Sequence, residues 1–460
     1  MADYTSYSFK IGKAFRQKQA SSTEEYFETS KAAHGFFEQN KVETADGIYW
    51  KDQKSVVNPD AKSVDLGNYV GSGGILFYYL ELYKATGNNE YKELVLRAAD
   101  YLDIHWKDQV VAANEAFAVE GIADSIYLGI SSVGMILSVV YESFGRDKDL
   151  EAVKAITEQV IADAKTNEFG LYWSFDKSIL LGGGTVLYLY KIYELLKDSK
   201  ILDAANKGAD AILQEAIEDP RGGYAWTSYA HEGQTRVPNF ECGTAGVGYL
   251  FTVAYEITKD ERYLNAAEEA ARHLKAIAVP QGDGFLVPWH DNPEEETIFY
   301  VSTCHGPAGT SRLFYQLYKL TGKQEYLEDI EKLYKGLRHI GVPEKQSKGY
   351  WNTTCLCCGT AGVLQFLINY NLVSNDADVK NIAVIAGNIL LGEQKRNEKL
   401  SAAVSWPVAF ERVKPENIAE NITYGAGAAG IAGSLLQLYL FLEGKYKWDR
   451  LFDDPYPKTI

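Results

Sequence analysis

Sulfur is scarce in this chain: 460 residues hold five cysteines and two methionines. An odd cysteine count, with Cys357 and Cys358 adjacent, argues against a disulfide framework and predicts a reducing, cytoplasmic setting that keeps thiolates available. Positive charge is short as well, with 46 Lys and Arg against 62 Asp and Glu and a formal net charge of -16. That balance argues against a nucleic-acid or anionic-membrane surface, while it permits a cationic partner. No apolar run approaches the roughly 18 residues of a membrane span. The opening stretch from Met1 lacks the basic-then-apolar pattern of a secretory signal. Hydrophobic content, at 46%, is ample for a core. The length suits two or three average domains or one large repeat-built domain.

The few cysteines are not scattered. Cys242, Cys304, Cys355, Cys357 and Cys358 all lie just before a Gly-x-x-Gly turn, at Gly243–Gly246, Gly306–Gly309 and Gly359–Gly362. Core filler would spread over helix faces. Gathering at one kind of position reads as a metal or thiol site.

That position recurs. Glycine turns opening an apolar stretch begin at Gly71, Gly129, Gly182, Gly243, Gly306, Gly359 and Gly427, spaced 53 to 68 residues apart. Ile75 to Tyr83 is apolar nearly all round, so the helix after each turn is expected to be buried on most faces. Between copies lie charge-rich stretches with apolar residues at three and four: Asn89 to Asp108, Lys148 to Lys165, Ile201 to Glu218, Asp260 to Ala278 and Gln324 to Ile340. Ser22 and Glu25 predict a capping box for a first such helix, Thr23 to Gln39. Short glycine-to-tryptophan segments end at Trp50, Trp173, Trp226, Trp289 and Trp351 and read as extended, hairpin-like loops. Their tryptophans are expected to wedge into the core, the commoner fate of that side chain, with a peptide-lining groove as the alternative. The acidic run Glu294–Glu296 reads as a solvated loop that would also attract a basic peptide.

A unit of about 55 residues that cannot bury its own apolar face must stack on its neighbours. The predicted fold is all-α: an α/α toroid of seven helix-pair repeats with short extended aromatic loops. It is expected to form a single domain over 1–460, with repeats from about 23 to 442 and a C-terminal tail at 443–460. All glycine turns then fall at one end of the inner ring, which brings Cys242, Cys304 and the Cys357–Cys358 pair together. The glycines themselves are explained by backbone geometry and only locate the site.

Cys304-His305-Gly306-x-x-Gly309 followed by Cys357-Cys358-Gly359-x-x-Gly362 resembles the zinc signature of lanthionine synthetase C-like proteins. The resemblance covers nearly the whole chain and implies a seven-repeat α/α toroid. It implies Zn2+ held by Cys304, Cys357 and Cys358, with Cys358 where many members have His. It also implies an enzyme that adds a substrate Cys thiol to dehydroalanine or dehydrobutyrine, giving lanthionine-type thioether rings. Three positions depart from the pattern. Cys242 stands where the fourth repeat usually has an acid/base His. Ser125, next to Asp124, stands where the second repeat usually has Asp. Tyr300 stands where an Arg is common.

Three thiolates with a free fourth position describe a catalytic-type zinc; a fourth sulfur from Cys242 would close it into a structural one. Addition to the alkene leaves an enolate that needs a proton donor. His305 leads the candidates, with Cys242, His231, Tyr300 and Asp124 behind it. Cys355 is expected to be a turn residue. The expected partners are a dehydrated precursor peptide, or a small thiol such as glutathione, and a separate dehydratase. A non-catalytic scaffold with a closed zinc is the remaining alternative.

Overall fold

In the computed structural model the described residues are 13–51, 63–228, 236–292, 297–346, 350–351, 353–397, 403–411 and 414–459. Seven helices of 15 residues each follow the glycine turns: α3 (Ser72–Thr86), α6 (Ile130–Phe144), α8 (Gly182–Leu196), α10 (Thr244–Thr258), α12 (Pro307–Thr321), α14 (Thr360–Ser374) and α16 (Ala428–Leu442). Each packs on the next, and α16 packs on α3, so the inner ring closes. Six start directly after an extended glycine; α8 instead has Leu181 at its cap and Gly182 as its first residue.

An outer layer surrounds this ring. It comprises α4 (Asn89–His105), α7 (Asp147–Ala162), α9 (Ser199–Gln214), α11 (Glu261–Ile277), α13 (Glu325–His339) and α15 (Ala377–Glu393). Each packs on the inner helix before it in the chain. The seventh outer partner comes from the other end of the sequence: α1 (Glu24–Ala32) packs on α16 and seals the toroid.

Three expectations are corrected here. The first outer helix does not run from Thr23 to Gln39. It breaks at Ala33 into α1 and the short α2 (His34–Glu38). Nor does Ser22 form its capping box, because Glu25 reaches one residue further back and accepts from the Ser21 amide at 2.8 Å and hydroxyl at 2.9 Å. The helices expected to reach Lys165 and Glu218 stop at Ala162 and Gln214. Their last residues serve instead as the first strand of a hairpin. A further helix, α5 (Asp108–Ala116), follows α4.

Four of the aromatic loops are antiparallel two-stranded hairpins, such as Lys41–Thr44 with Gly47–Trp50 and Ile217–Glu218 with Tyr224–Ala225. The fifth is not: Tyr350–Trp351 runs parallel to Phe299–Tyr300 of the preceding repeat. Trp50, Trp173 and Trp226 are core, while Trp289 is half-buried beside Tyr300 and His305. The Trp173 and Trp226 indoles donate to the Val160 and Ile212 carbonyls at 2.6 and 2.9 Å, near the ends of the preceding outer helices. Trp50 is buried and stacks on Tyr79. The side chain of Trp351 and the run Glu294–Glu296 lie outside the described residues.

After α16 the tail turns back against the inner helices. Phe452 receives a hydrogen bond on its carbonyl from the Tyr249 hydroxyl at 3.1 Å and lies against Tyr188. Lys84 pairs with Asp449, and Tyr315 stacks on Tyr456 at 4.3 Å. No helix among the described residues is long and apolar enough to cross a membrane.

Candidate metal centre

The site is built by repetition. Two residues before each helix glycine stand Tyr69, Tyr127, Leu180, Glu241, Cys304, Cys357 and Gly425. Their backbones form a ring of hydrogen bonds that follows the toroid. The amide of Leu180 donates to Glu241 at 2.8 Å, Glu241 to Cys304 at 2.9 Å, Cys304 to Cys357 at 3.2 Å and Cys357 to Gly425 at 2.8 Å. Gly425 donates to Tyr69 at 2.8 Å and Tyr69 to Tyr127 at 3.4 Å. The remaining link runs through a hydroxyl: the Tyr127 amide donates to Ser125 Oγ at 3.2 Å, which donates to the Leu180 carbonyl at 2.5 Å. Each buried polar backbone group is thereby satisfied.

This ring fixes Cys304 and Cys357 at equivalent positions on adjacent repeats. Cys358 follows one residue on. Its sulfur lies 3.4 Å from that of Cys304 and 3.3 Å from that of Cys357. All three thiol sulfurs fall within 4.8 Å of one another. A tetrahedral zinc with bonds of about 2.3 Å needs sulfurs about 3.8 Å apart, a few tenths of an ångström from this spacing. The electrostatics agree. Burial first, then Cys357, push the Cys304 thiol well above its usual range, against the hydrogen bond with Cys358. Hydrogen bonding among Cys304, Cys355 and Cys357, with burial, does the same for Cys358. Crowded buried thiols become thiolates together only around a cation. The residues present therefore fit a thiophilic metal.

Cys242, buried at the equivalent of Cys358 in the fourth repeat, is outside this group of three. Its thiol is also pushed well above its usual range, by burial and then by Glu241. Cys355 is buried next to Cys358 but likewise outside the group. His305 is buried, with its ring 5.2 Å from Tyr300 and 6.3 Å from Trp289, both edge-on. Asp124 is elsewhere: it follows α5 in a short turn, facing Asp163 and Lys165. His231 lies outside the described residues.

A second group, Asp219, His273 and Asp291, also has metal-like spacing. It is already neutralised. Arg221 pairs with both carboxylates, and Arg236 pairs with Asp219 at 2.8 Å. A cation there would have to displace two guanidinium groups, so this is an ion-pair network tying α11 to its hairpin.

Beside Cys357 lies a cavity of about 60 Å³, room for a few waters. Tyr69, Tyr127, Glu241, Arg312 and the tail residue Asp453 line it. Burial, and then Cys357 and Asp453, push the Glu241 carboxyl well above its usual range, against the pull of Arg312. None of these five lining residues was among the sequence-derived site residues. The repeat register would have found Tyr69, Tyr127 and Glu241, because they share the position of Cys304 and Cys357. No sequence signal marks Arg312 or Asp453.

The sequence pattern described as lanthionine synthetase C-like protein matches residues 62–452. The chain belongs to that family. Its toroid is similar to that of nisin cyclase, with a TM-score of 0.54 and 13% identity over 83% of this chain and 95% of that one. At that identity the likeness speaks for the fold. A curated relative is the lacticin 481/lactococcin biosynthesis protein LcnDR2 of Lactococcus lactis subsp. lactis, 22% identical over 311 residues. The match takes in 60% of this chain and 33% of LcnDR2, so the chain spans about a third of that relative's length.

Proposed function

We propose that this lanthionine synthetase C-like protein is a zinc-dependent cyclase that adds a cysteine thiol to dehydroalanine or dehydrobutyrine in a dehydrated precursor peptide. The observation that carries the reading is the group of three thiols, Cys304, Cys357 and Cys358, with Cys242 outside it. Three protein sulfurs leave a coordination position for a substrate, whereas four would close the site. Family membership and the relatives named for nisin and lacticin chemistry support a peptide substrate.

Zinc bound there would hold a substrate thiol as its thiolate near neutral pH. The chain's own residues supply the rest. The backbone ring holds Cys304 and Cys357 at a fixed separation. His305, next to a ligand and packed against Tyr300, is the proposed donor of the proton that the α-carbon takes up. Cys242 is a second donor. The reaction runs in a reducing, cytoplasmic setting, and a separate dehydratase prepares the peptide.

One alternative is the addition of a small thiol such as glutathione to the same kind of alkene. One assay separates the two. Purified protein is incubated with a peptide carrying dehydroalanine and cysteine, with and without glutathione. Cyclisation removes the free thiol at constant mass; glutathione addition raises the mass. A peptide that keeps its free thiol and its mass under both conditions would overturn the enzyme assignment.

A further inference from the structure

Arg312 is the one Lys, Arg or His among the described residues lining the cavity beside Cys357. It sits on α12, is only 8% exposed, and holds its guanidinium over the Phe240 ring at 5.2 Å. One nitrogen, Nη1, carries all of its hydrogen bonds, to the Asp453 carbonyl at 3.3 Å and to Asp453 Oδ2. Nε and Nη2 donate to nothing among the described residues. Guanidinium is a planar fork of five N–H donors that is never deprotonated in a protein. Neither nitrogen is sealed off by its neighbours, so both have open space before them in which a ligand oxygen can be received.

We propose that Arg312 is a catalytic residue whose free donors bind the oxygen on which negative charge develops during thiol addition. This rests on the thiol-addition reading above. That oxygen is the carbonyl of the dehydroalanine or dehydrobutyrine residue. The thiolate sulfur forms a bond to the β-carbon. The π pair of the alkene moves to the α-carbon and the carbonyl oxygen, giving an enolate. One proton returned to the α-carbon replaces the proton the thiol lost, so the addition consumes no oxidant or reductant. A fixed cation aimed at such an oxygen is stronger in a water-poor cavity than in water, and it acts most at the transition state.

Asp453 is the positioning residue. Its carboxylate takes Nη1 of Arg312 and also the Tyr127 hydroxyl, at 2.9 Å. This anchors one end of the guanidinium and leaves Nε and Nη2 uncommitted. The C-terminal tail thereby shapes the floor of the chamber, although Asp453 lies 141 residues from Arg312 in the chain.

Two measurements on the protein as purified test the assignment. In the first, Arg312→Gln and Arg312→Lys are compared with wild type in thioether formation. Arg312→Gln is expected to lower kcat about a hundredfold or more with KM little changed, and Arg312→Lys to lower it less. Asp453→Asn, which leaves the guanidinium in place, is expected to lower kcat about tenfold with the same unchanged KM. In the second, calorimetry compares mercaptoacetate with its neutral twin 2-mercaptoacetamide. Wild type is expected to prefer the anion, and Arg312→Gln to lose about tenfold of that preference. Should Arg312→Gln fail to fold, as judged by its circular dichroism, Arg312→Lys carries both measurements. Equal binding of the two thiols by wild type, or wild-type kcat in the Arg312 variants, would overturn the assignment alone. Wild type that binds neither thiol would overturn the thiol-addition reading and this assignment together. Wild-type kcat in Asp453→Asn would remove only the positioning role.

Discussion

Burial, and then the charge of Asp163, push the Asp124 carboxyl up to about 7, and its Oδ1 has no hydrogen-bond partner among the described residues. The folded state therefore binds more protons than the unfolded state between roughly pH 4 and 7, and stability falls as pH rises through that window. Asp124→Asn is expected to stabilise the protein by about 2 to 4 kcal/mol at pH 8 and by little at pH 4, read by urea denaturation. Loss of thioether formation without that pH-dependent gain would return Asp124 to the catalytic candidates. Cys242 has the opposite standing, buried one residue along the repeat from Glu241, which borders the cavity. Cys242→Ala is expected to keep the metal and to slow thiol addition about a hundredfold. X-ray absorption finding four zinc–sulfur bonds in thiol-free wild type, and three in the variant, would count against the open site. The thiol group was legible in the sequence because rare residues stood at one repeated position. Arg312 and Asp453 were not, because an arginine inside an apolar helix and an aspartate in a tail carry no periodic signal. Only the path of the tail joins them.

At the scale of elements, the link between inner and outer helices is a two-residue device. Lys259 ends α10 in the left-handed conformation at φ 60°, and Asp260 caps α11 by accepting from the Arg262 amide at 3.0 Å. Lys197 with Asp198, and Asn375 with Asp376, repeat it. A left-handed lysine costs roughly 1 kcal/mol, part of which its ammonium recovers by lying 5.6 Å over the Tyr255 ring. Opposite signs are therefore expected at adjacent residues. Lys259→Gly should stabilise by about 0.5 kcal/mol, and Asp260→Ala should destabilise by about 1 kcal/mol, both measured as shifts in the denaturation midpoint. Destabilisation by both would show that the lysine contact outweighs the backbone strain. The hairpins have a comparable fixed point. Gly47 and Gly223, at φ 139° and 81°, press so closely on the Arg97 and Glu269 carbonyls that any Cβ would fall within 2.3 Å of them. Each hairpin thus docks on the next repeat's outer helix. Helix periodicity and glycine-to-tryptophan segments made both layers readable. Helix ends were not, because Lys165–Asn167 and Ile217–Glu218 satisfy a helical pattern while pairing as strands.

At the scale of the whole molecule, seven repeats are held together twice over: by inner helices packed into a closed ring, and by backbone hydrogen bonds between equivalent residues at its mouth. The second system has one non-backbone member, Ser125, whose hydroxyl is fully buried and bridges Tyr127 to Leu180. Removing it takes a partner from the Tyr127 and Leu128 amides and from the Leu180 carbonyl. Ser125→Ala is therefore expected to cost about 1 to 3 kcal/mol, a large effect for the loss of a single oxygen. Because the first outer helix packs on the last inner one, the chain is proposed to unfold as one domain. The Ser125→Ala midpoint should then move in circular dichroism and tryptophan fluorescence alike, with the two curves coincident. The thiol group lies on the far arc, in the fifth and sixth repeats, where the backbone links are untouched. Metal content is accordingly expected to match wild type well below the transition. Two separated transitions, with metal lost in one while helix content persists, would mean that the repeats divide into independent units and that the ring of hydrogen bonds does not couple them.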